Sequence, residues 1–261
     1  MVEILADRTD TGALVNDSGA GSSDRSSNQF LGFDVARQVL QEGDIELLAR
    51  MPYSSNATFL VRVVEGERAV NAIYKPVEGE RPLWDFPPGL YKREIAAYEL
   101  SQELGWSVVP PTLERVGPHG VGSVQLFIDA DFEQHHFTLV KDPQHHESLQ
   151  KLCVLDLLAN NTDRKAGHCL LSNWGAIYGI DHGLCFSSDF KLRTVIWDFA
   201  NQPINEDLMC GVRRVCEGSV YRISSWLEEH EVEALIGRAK WLQQSPFFPE
   251  DDGYRWPWPL I

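Results

Sequence analysis

The sequence predicts an α+β protein of two lobes, and two observations carry that reading. Between residues 44 and 128 the chain is a succession of short β-rich runs broken by turn residues, with one helical pattern among them. From residue 148 onward, long segments of helical character dominate. Strands gathered first and helices second describe an α+β architecture. The 261 residues suffice for two small lobes sharing a cleft. We place them at 31–130 and 131–261.

In chain order, residues 1–30 are rich in Ser, Gly, Asp and Asn and poor in large apolar groups. Such a stretch buries too little to offset its ordering entropy, so a disordered tail is expected. "FDVARQVLQE" (33–42) reads as a short helix. "DIELLAR", "TFLVRVV" and "AVNAIYK" then read as strands, parted by "MPYSSN" and by "EGER". "GLYKREIAAYELSQELG" is a helix with Gly105 as its stop signal. "SVVPPTLERV" and "GVGSVQLFI" return to strand. Helices are expected at 148–161, 206–218, 220–230 and 231–244, with "HCLLS" and "AIYGI" as short strands in between. The Pro- and Trp-rich end, 245–261, reads as an irregular strap. Trp226, Trp241, Trp256 and Trp258 most simply form the C-terminal core, with a partner surface as the alternative, and His135, His136, His145 and His146 are expected in loops.

Composition excludes several functions. Against 23 basic side chains stand 38 acidic ones, a formal charge of −15. Phosphate backbones are held mainly by Lys and Arg, so a nucleic-acid binder is not expected; docking on an anionic membrane needs basic clusters as well. No run approaches the roughly 18 apolar residues of a membrane span, so no stable membrane insertion is expected. Cys153, Cys169, Cys185, Cys210 and Cys216 form no C-x-x-C pair and lie mostly in apolar stretches, as buried, reduced thiols of a cytoplasmic protein do.

A few charged residues stand where chemistry could use them. Strand alternation puts Asn71, Ile73 and Lys75 on one face, so Lys75 either points into a cleft or marks the strand's exposed end. Glu94 lies on a helical face with Ala97, Tyr98 and Ser101. It either meets a cation such as Lys75 or interacts with the helix dipole as a first-turn glutamate. Ser54, Ser55 and Asn56 form a small polar turn between strands, able to fold over phosphates or merely to connect a hairpin. Asp163 follows the helix ending at Asn160–Asn161, and Asp181 follows "AIYGI". A hairpin between them would bring both carboxylates to one edge, one to accept a hydroxyl proton and the other to hold a divalent metal. His168 is a second metal ligand or a hydrogen-bonded core histidine.

"DRKAGH" followed by "GIDHG" resembles the catalytic loop and metal-binding segment of phosphatidylinositol 3-/4-kinase-like enzymes, members of the wider protein-kinase-like superfamily. More closely, the chain resembles a family of small actinobacterial lipid-kinase-like proteins. The likeness covers roughly residues 44–200, with its motifs in order. It implies a two-lobed protein-kinase-like fold with a β-rich N-lobe carrying one helix and a helical C-lobe. It also implies ATP as donor with Mg²⁺ or Mn²⁺. Asp163 would be the catalytic base and Asp181 the metal ligand. Lys75, braced by Glu94, would hold the α- and β-phosphates. Ser54, Ser55 and Asn56 would form the phosphate loop, and Gln125, Phe127 and Ile128 the hinge that reads adenine. Two positions depart from the pattern: His168 stands where Asn is usual, which favours Mn²⁺, and His182 replaces the aromatic of an Asp-Phe-Gly-type segment. The segment after Asp181 carries only Lys191 and Arg193 as cations, too few for a phosphoinositide. The reading is therefore an ATP-dependent phosphotransferase acting on a protein hydroxyl or a small soluble acceptor. A nucleotide-binding pseudokinase scaffold, open to a protein partner, and a nucleotidyl transferase on the same fold are the alternatives.

Overall fold

The computed structural model describes residues 32–261 apart from Tyr53 and Ser55; the tail expected at 1–30 and Ser55 lie outside the described residues. Helix α1 (Phe33–Glu42) buries Ala36, Val39 and Leu40, the i, i+3, i+4 stripe of an amphipathic helix. It packs on an antiparallel sheet of β1 (Asp44–Arg50), β2 (Phe59–Glu65), β3 (Arg68–Pro76), β4 (Thr112–Gly117) and β5 (Gly120–Leu126), ordered β1-β2-β3-β5-β4. Along β3, Val70, Ala72 and Tyr74 are buried in the core shared with α1, while Asn71, Ile73 and Lys75 lie half-buried on the other face. The alternation read from the sequence is the one the strand adopts.

Helix α2 (Leu90–Glu103) joins the lobes. The Glu80 carboxylate accepts the Gly89 and Tyr91 N–H groups at 2.8 and 2.9 Å, satisfying donors at the helix N-terminus. Ala96, Ala97, Tyr98, Leu100 and Leu104 belong to the second hydrophobic cluster, built with α4 (His146–Ala159), α5 (Glu206–Cys216) and α7 (Glu229–Gln244). Arg93 fastens α2 there: Nη2 reaches Glu231 Oε1 on α7 at 2.5 Å and Nη1 donates to the Cys185 carbonyl at 2.6 Å. A small sheet of β6 (Ala130–Asp131), β7 (Cys169–Ser172) and β8 (Ile177–Gly179) sends Leu170 and Tyr178 up into the first cluster. Helices α3 (His136–Leu139) and α6 (Tyr221–Ser224) are single turns.

The structure corrects several expectations. The strand expected from Ser107 begins at Thr112, because Pro110 and Pro111 have no N–H to offer a ladder. The helix expected over 220–230 stops at Ser224. Glu228 takes an extended conformation to cap α7, accepting and donating in a box with Glu231, and that breaks the preceding helix. Trp226 and Trp256 pack on the core, but Trp241 and Trp258 are 45% and 86% exposed. Cys153, Cys169 and Cys185 are buried, whereas Cys210 lies on the outward face of α5 and is exposed; Cys216 is half-buried. His136 is fully buried against Asp198, Nε2 to Oδ2 2.8 Å, and begins α3. The strap is irregular, as expected. It buries Phe248 and runs back over the lower lobe, where the Arg255 and Leu260 carbonyls accept the Thr194 and Ala166 N–H groups at 3.1 and 2.7 Å. No helix among the described residues is long and apolar enough to cross a membrane.

Candidate active site

Three segments far apart in sequence meet at the Lys75 ammonium. Glu94, 3% exposed on the sheet-facing side of α2, accepts from Nζ through Oε1. Asp181, just past β8, accepts through Oδ1 at 2.9 Å. Burial works against the lysine's charge, yet the Asp181 and Glu94 carboxylates outweigh it and hold Lys75 above the usual lysine range. Reciprocally, the Lys75 ammonium holds the Asp181 carboxyl far below the usual carboxylate range. The second Glu94 oxygen accepts the His182 N–H at 2.9 Å, so the glutamate is fixed from both lobes. Asp181 itself has φ +61, a left-handed position that costs an L-residue roughly 1–2 kcal/mol and persists where its surroundings over-determine it.

His168 closes the cluster from below. Its Nδ1 lies 3.0 Å from the Asp163 carbonyl, an acceptor, and 3.4 Å from the Lys165 N–H; the nearer carbonyl favours the tautomer with the proton on Nδ1 and the lone pair on Nε2. Nε2 faces Asp181 Oδ2 at 3.5 Å. Burial pushes His168 down to about 4, with Asp181 pulling the other way, so the ring is neutral. A lone pair and a carboxylate oxygen facing one another form a donor set suited to a cation.

Asp163 lies in the loop after α4. Its N–H donates to Asn161 Oδ1 at 3.0 Å, and its carboxylate pairs with Lys165 Nζ at 3.2 Å. Burial raises the Asp163 pKa, partly offset by Lys165. The loop is organised by Arg164, which is fully buried. Its Nε and Nη2 each reach Asp156 at 2.9 Å, Nη1 donates to the Ile180 carbonyl at 2.9 Å, and Nη2 donates to His182 Nε2 at 2.7 Å. One guanidinium thus ties α4, the Asp163 loop and the segment carrying Asp181. Gly179 makes room for it: an added Cβ would lie 3.2 Å from Arg164 Nη2 and 2.7 Å from Leu152.

Lys75, Glu94, His168 and Asp181 are therefore brought together, with Asp163 joined to them through His168. The turn is separate. Ser54 Oγ bonds Thr58 Oγ1 at 2.8 Å and Asn56 Oδ1 accepts the Arg81 N–H at 2.9 Å; among the described residues neither hydrogen-bonds the lysine cluster. Gln125 lies in β5, one residue from its end, paired with both neighbouring strands, and its side chain donates to Thr112 at 2.8 Å. Phe127 donates its N–H to the Asn71 carbonyl. Ile128 follows in the connection between β5 and β6, and among the described residues its backbone N–H and C=O have no hydrogen-bond partner. Asp156, Asn161, Arg164 and Lys165 went unrecognised in the sequence. The available signal was Asp156, a charge inside the apolar run "LCVLDLLA", which required a buried cation.

Sheet, joining helix and carboxylate-bracketed lysine make this a kinase-like fold. The family described as phosphatidylinositol 3- and 4-kinase matches residues 99–207. Protein Rv2133c of Mycobacterium tuberculosis is 36% identical over 87% of this chain and 96% of that protein. Phosphatidylinositol 4-kinase gamma 4 of Oryza sativa subsp. japonica is 29% identical over 59% of this chain, which spans 34% of the plant protein. Among solved structures, the Helicobacter pylori proinflammatory kinase CtkA aligns with 79% of this chain and 94% of its own, at 15% identity and a TM-score of 0.48, a likeness that says nothing of chemistry. The chain belongs to the phosphatidylinositol 3-/4-kinase-like family, together with Rv2133c.

Proposed function

We propose that the protein transfers the terminal phosphoryl group of ATP to a hydroxyl of a protein or a small soluble acceptor. The observation that carries this is the convergence of Glu94 and Asp181, from two lobes, on the Lys75 ammonium. Phosphoryl transfer asks mostly for positioning and charge neutralisation, which such a cluster supplies. Lys75 would hold the donor phosphates, oriented by Glu94. Asp163 would take the acceptor's proton, its raised pKa bringing it nearer to neutral pH. Lys165, paired with Asp163, would steady charge at the transferring group. Backbone amides around Ser54 and Asn56 would cover the phosphates, and the Ile128 backbone would meet adenine.

Asp181 and His168 would hold a divalent cation, which when bound neutralises phosphate charge. No group of three or more His, Cys, Asp or Glu is arranged for a metal among the described residues, so two side chains would share it with phosphate oxygens and water. The imidazole favours Mn²⁺ over Mg²⁺.

Purified protein incubated with ATP and Mg²⁺ or Mn²⁺, with a panel of protein and small-molecule hydroxyl acceptors, tests the reading. ADP formed together with a phosphorylated acceptor is the expected result. Pyrophosphate would redirect the assignment to nucleotidyl transfer. Neither product, with no metal-dependent rise in unfolding temperature on adding ATP, would overturn it.

A further inference from the structure

Asp181 meets Lys75 and His168 from a left-handed backbone setting, φ +61, which its surroundings have to hold in place. The residues on either side of it are both bound to Arg164. Before it, the Ile180 carbonyl accepts from Nη1 at 2.9 Å; after it, Nε2 of the His182 ring accepts from Nη2 at 2.7 Å. One guanidinium therefore straddles the aspartate.

A guanidinium carries five N–H donors, and in Arg164 each has a partner. Nε and one hydrogen of Nη2 go to the Asp156 carboxylate at 2.9 Å. The two of Nη1 go to the His168 and Ile180 carbonyls at 3.2 and 2.9 Å. The last goes to His182. Main-chain carbonyls would be there with any side chains, so the ring nitrogen is the acceptor that residue 182 itself has to supply.

A guanidinium donates and never accepts, so His182 Nε2 bears the lone pair and the proton of the neutral ring sits on Nδ1. That Nδ1 is buried with no partner among the described residues. An orphaned buried donor is unfavourable, and a phenylalanine here would have none. The side chain is wholly buried, so water does not compensate it. As a filler of this space histidine is inferior to an apolar ring; what it adds is the acceptor for Arg164. Its main chain is held as well, the N–H donating to Glu94 Oε2 at 2.9 Å. Residue 182 cannot turn without giving up its bond to α2 above and its bond to the Asp163 loop below.

We propose that His182 is a positioning residue: as the acceptor for Arg164, its neutral ring locks the backbone that presents Asp181 to Lys75 and to the cation. The inference rests on the assignment of Asp181 as the cation's ligand. Because the Arg164–His182 bond sets the carboxylate and touches neither nucleotide nor acceptor, its loss lowers turnover and leaves the KM of the acceptor alone.

The test begins on the full chain without ligand. NMR of the ring nitrogens in isotope-labelled histidine should show His182 protonated on Nδ1 and bare on Nε2; the opposite tautomer would overturn the proposal. Three variants then separate the acceptor from the shape. His182→Gln puts an oxygen where Nε2 lies, His182→Asn puts one where Nδ1 lies, and His182→Phe keeps a ring with no acceptor. Hydrogen exchange of the residue 182 amide should quicken about tenfold in the Phe and Asn variants and stay within about threefold of the parent in the Gln variant. Turnover at saturating ATP and Mn²⁺ should follow the same order, about tenfold or more down in Phe and Asn with the acceptor's KM unchanged. Exchange in His182→Phe equal to the parent's, or His182→Gln no closer to the parent than His182→Asn, would overturn the proposal. A parent that forms no ADP would sink the phosphoryl-transfer reading instead, since the tautomer and the order of exchange rates need neither ATP nor metal.

Discussion

Lys75 and the turn at Ser54–Asn56 are assigned to the same nucleotide, and the molecule builds them in opposite ways. Lys75 is set by partners 19 and 106 residues away, both charged and both drawn from other elements. The turn is set close to home, by a hydroxyl pair four residues apart and by one side-chain oxygen on the Arg81 N–H. A half-buried charge needs its counter-charges delivered by the whole fold, because leaving it alone costs more than any local contact returns. A small polar turn offers backbone amides whose direction comes from the chain itself. Side-chain substitutions should therefore be severe around the lysine and mild in the turn.

The largest effect belongs to the long-range side. Arg164→Met leaves Asp156 buried without its cation and should cost about 3–5 kcal/mol of stability, measured by urea unfolding. A loss under about 1 kcal/mol would show that the loop does not depend on this tie. Asp163→Asn should lower phosphoryl transfer roughly a hundredfold or more while nucleotide affinity stays near the parent's; single-turnover rates beside a binding isotherm separate the two, and equal rates would remove Asp163 as the base. Asp181→Ala should erase the metal-dependent part of ATP stabilisation, about 2.7 kcal/mol at a hundred times the dissociation constant. An unchanged shift in thermal unfolding would place the cation elsewhere. His168→Asn should raise activity with Mg²⁺ relative to Mn²⁺, and an unaltered metal ratio would remove His168 from the ligand set. Smallest of all, Ser54→Ala should change ATP affinity by less than about 1 kcal/mol. A larger loss would mean that the hydroxyl, and not the main chain, meets the phosphates.

How much of this could be read in the sequence follows the same division. The Asn71–Ile73–Lys75 face, the helix carrying Glu94 and the hairpin between Asp163 and Asp181 obey local periodicities, and the structure has them where alternation and helical spacing put them. The Arg164–Asp156 pair was hidden because a buried charge announces that it needs a partner without naming which one. The strand read through Ile128 ends at Leu126, because Phe127 and Ile128 leave the ladder, and within it the Gln125 side chain donates to Thr112. The helix over 220–230 was misread because Glu228 reads equally well as a helix interior residue and as a cap; the reciprocal bond with Glu231 decides it. For the tryptophans, hydrophobicity favours the core over a surface, and it does not tell Trp226 and Trp256, which pack inside, from Trp241 and Trp258, which stand exposed.

Arg93 and Glu94 are consecutive residues that answer to different masters. Glu94 grips the lysine of the sheet; Arg93 grips Glu231, 138 residues further along the chain. Helix α2 is thus a beam pinned at its far side to α7, and one peptide bond separates the pin from the grip. The beam cannot swing outward unless the buried pair breaks, so this molecule lacks an inexpensive way to disarm Lys75 by moving the helix alone. The group that orients the lysine and the group that anchors the helix to α7 are thus neighbours in the chain, and α7 holds the frame in which Glu94 is presented.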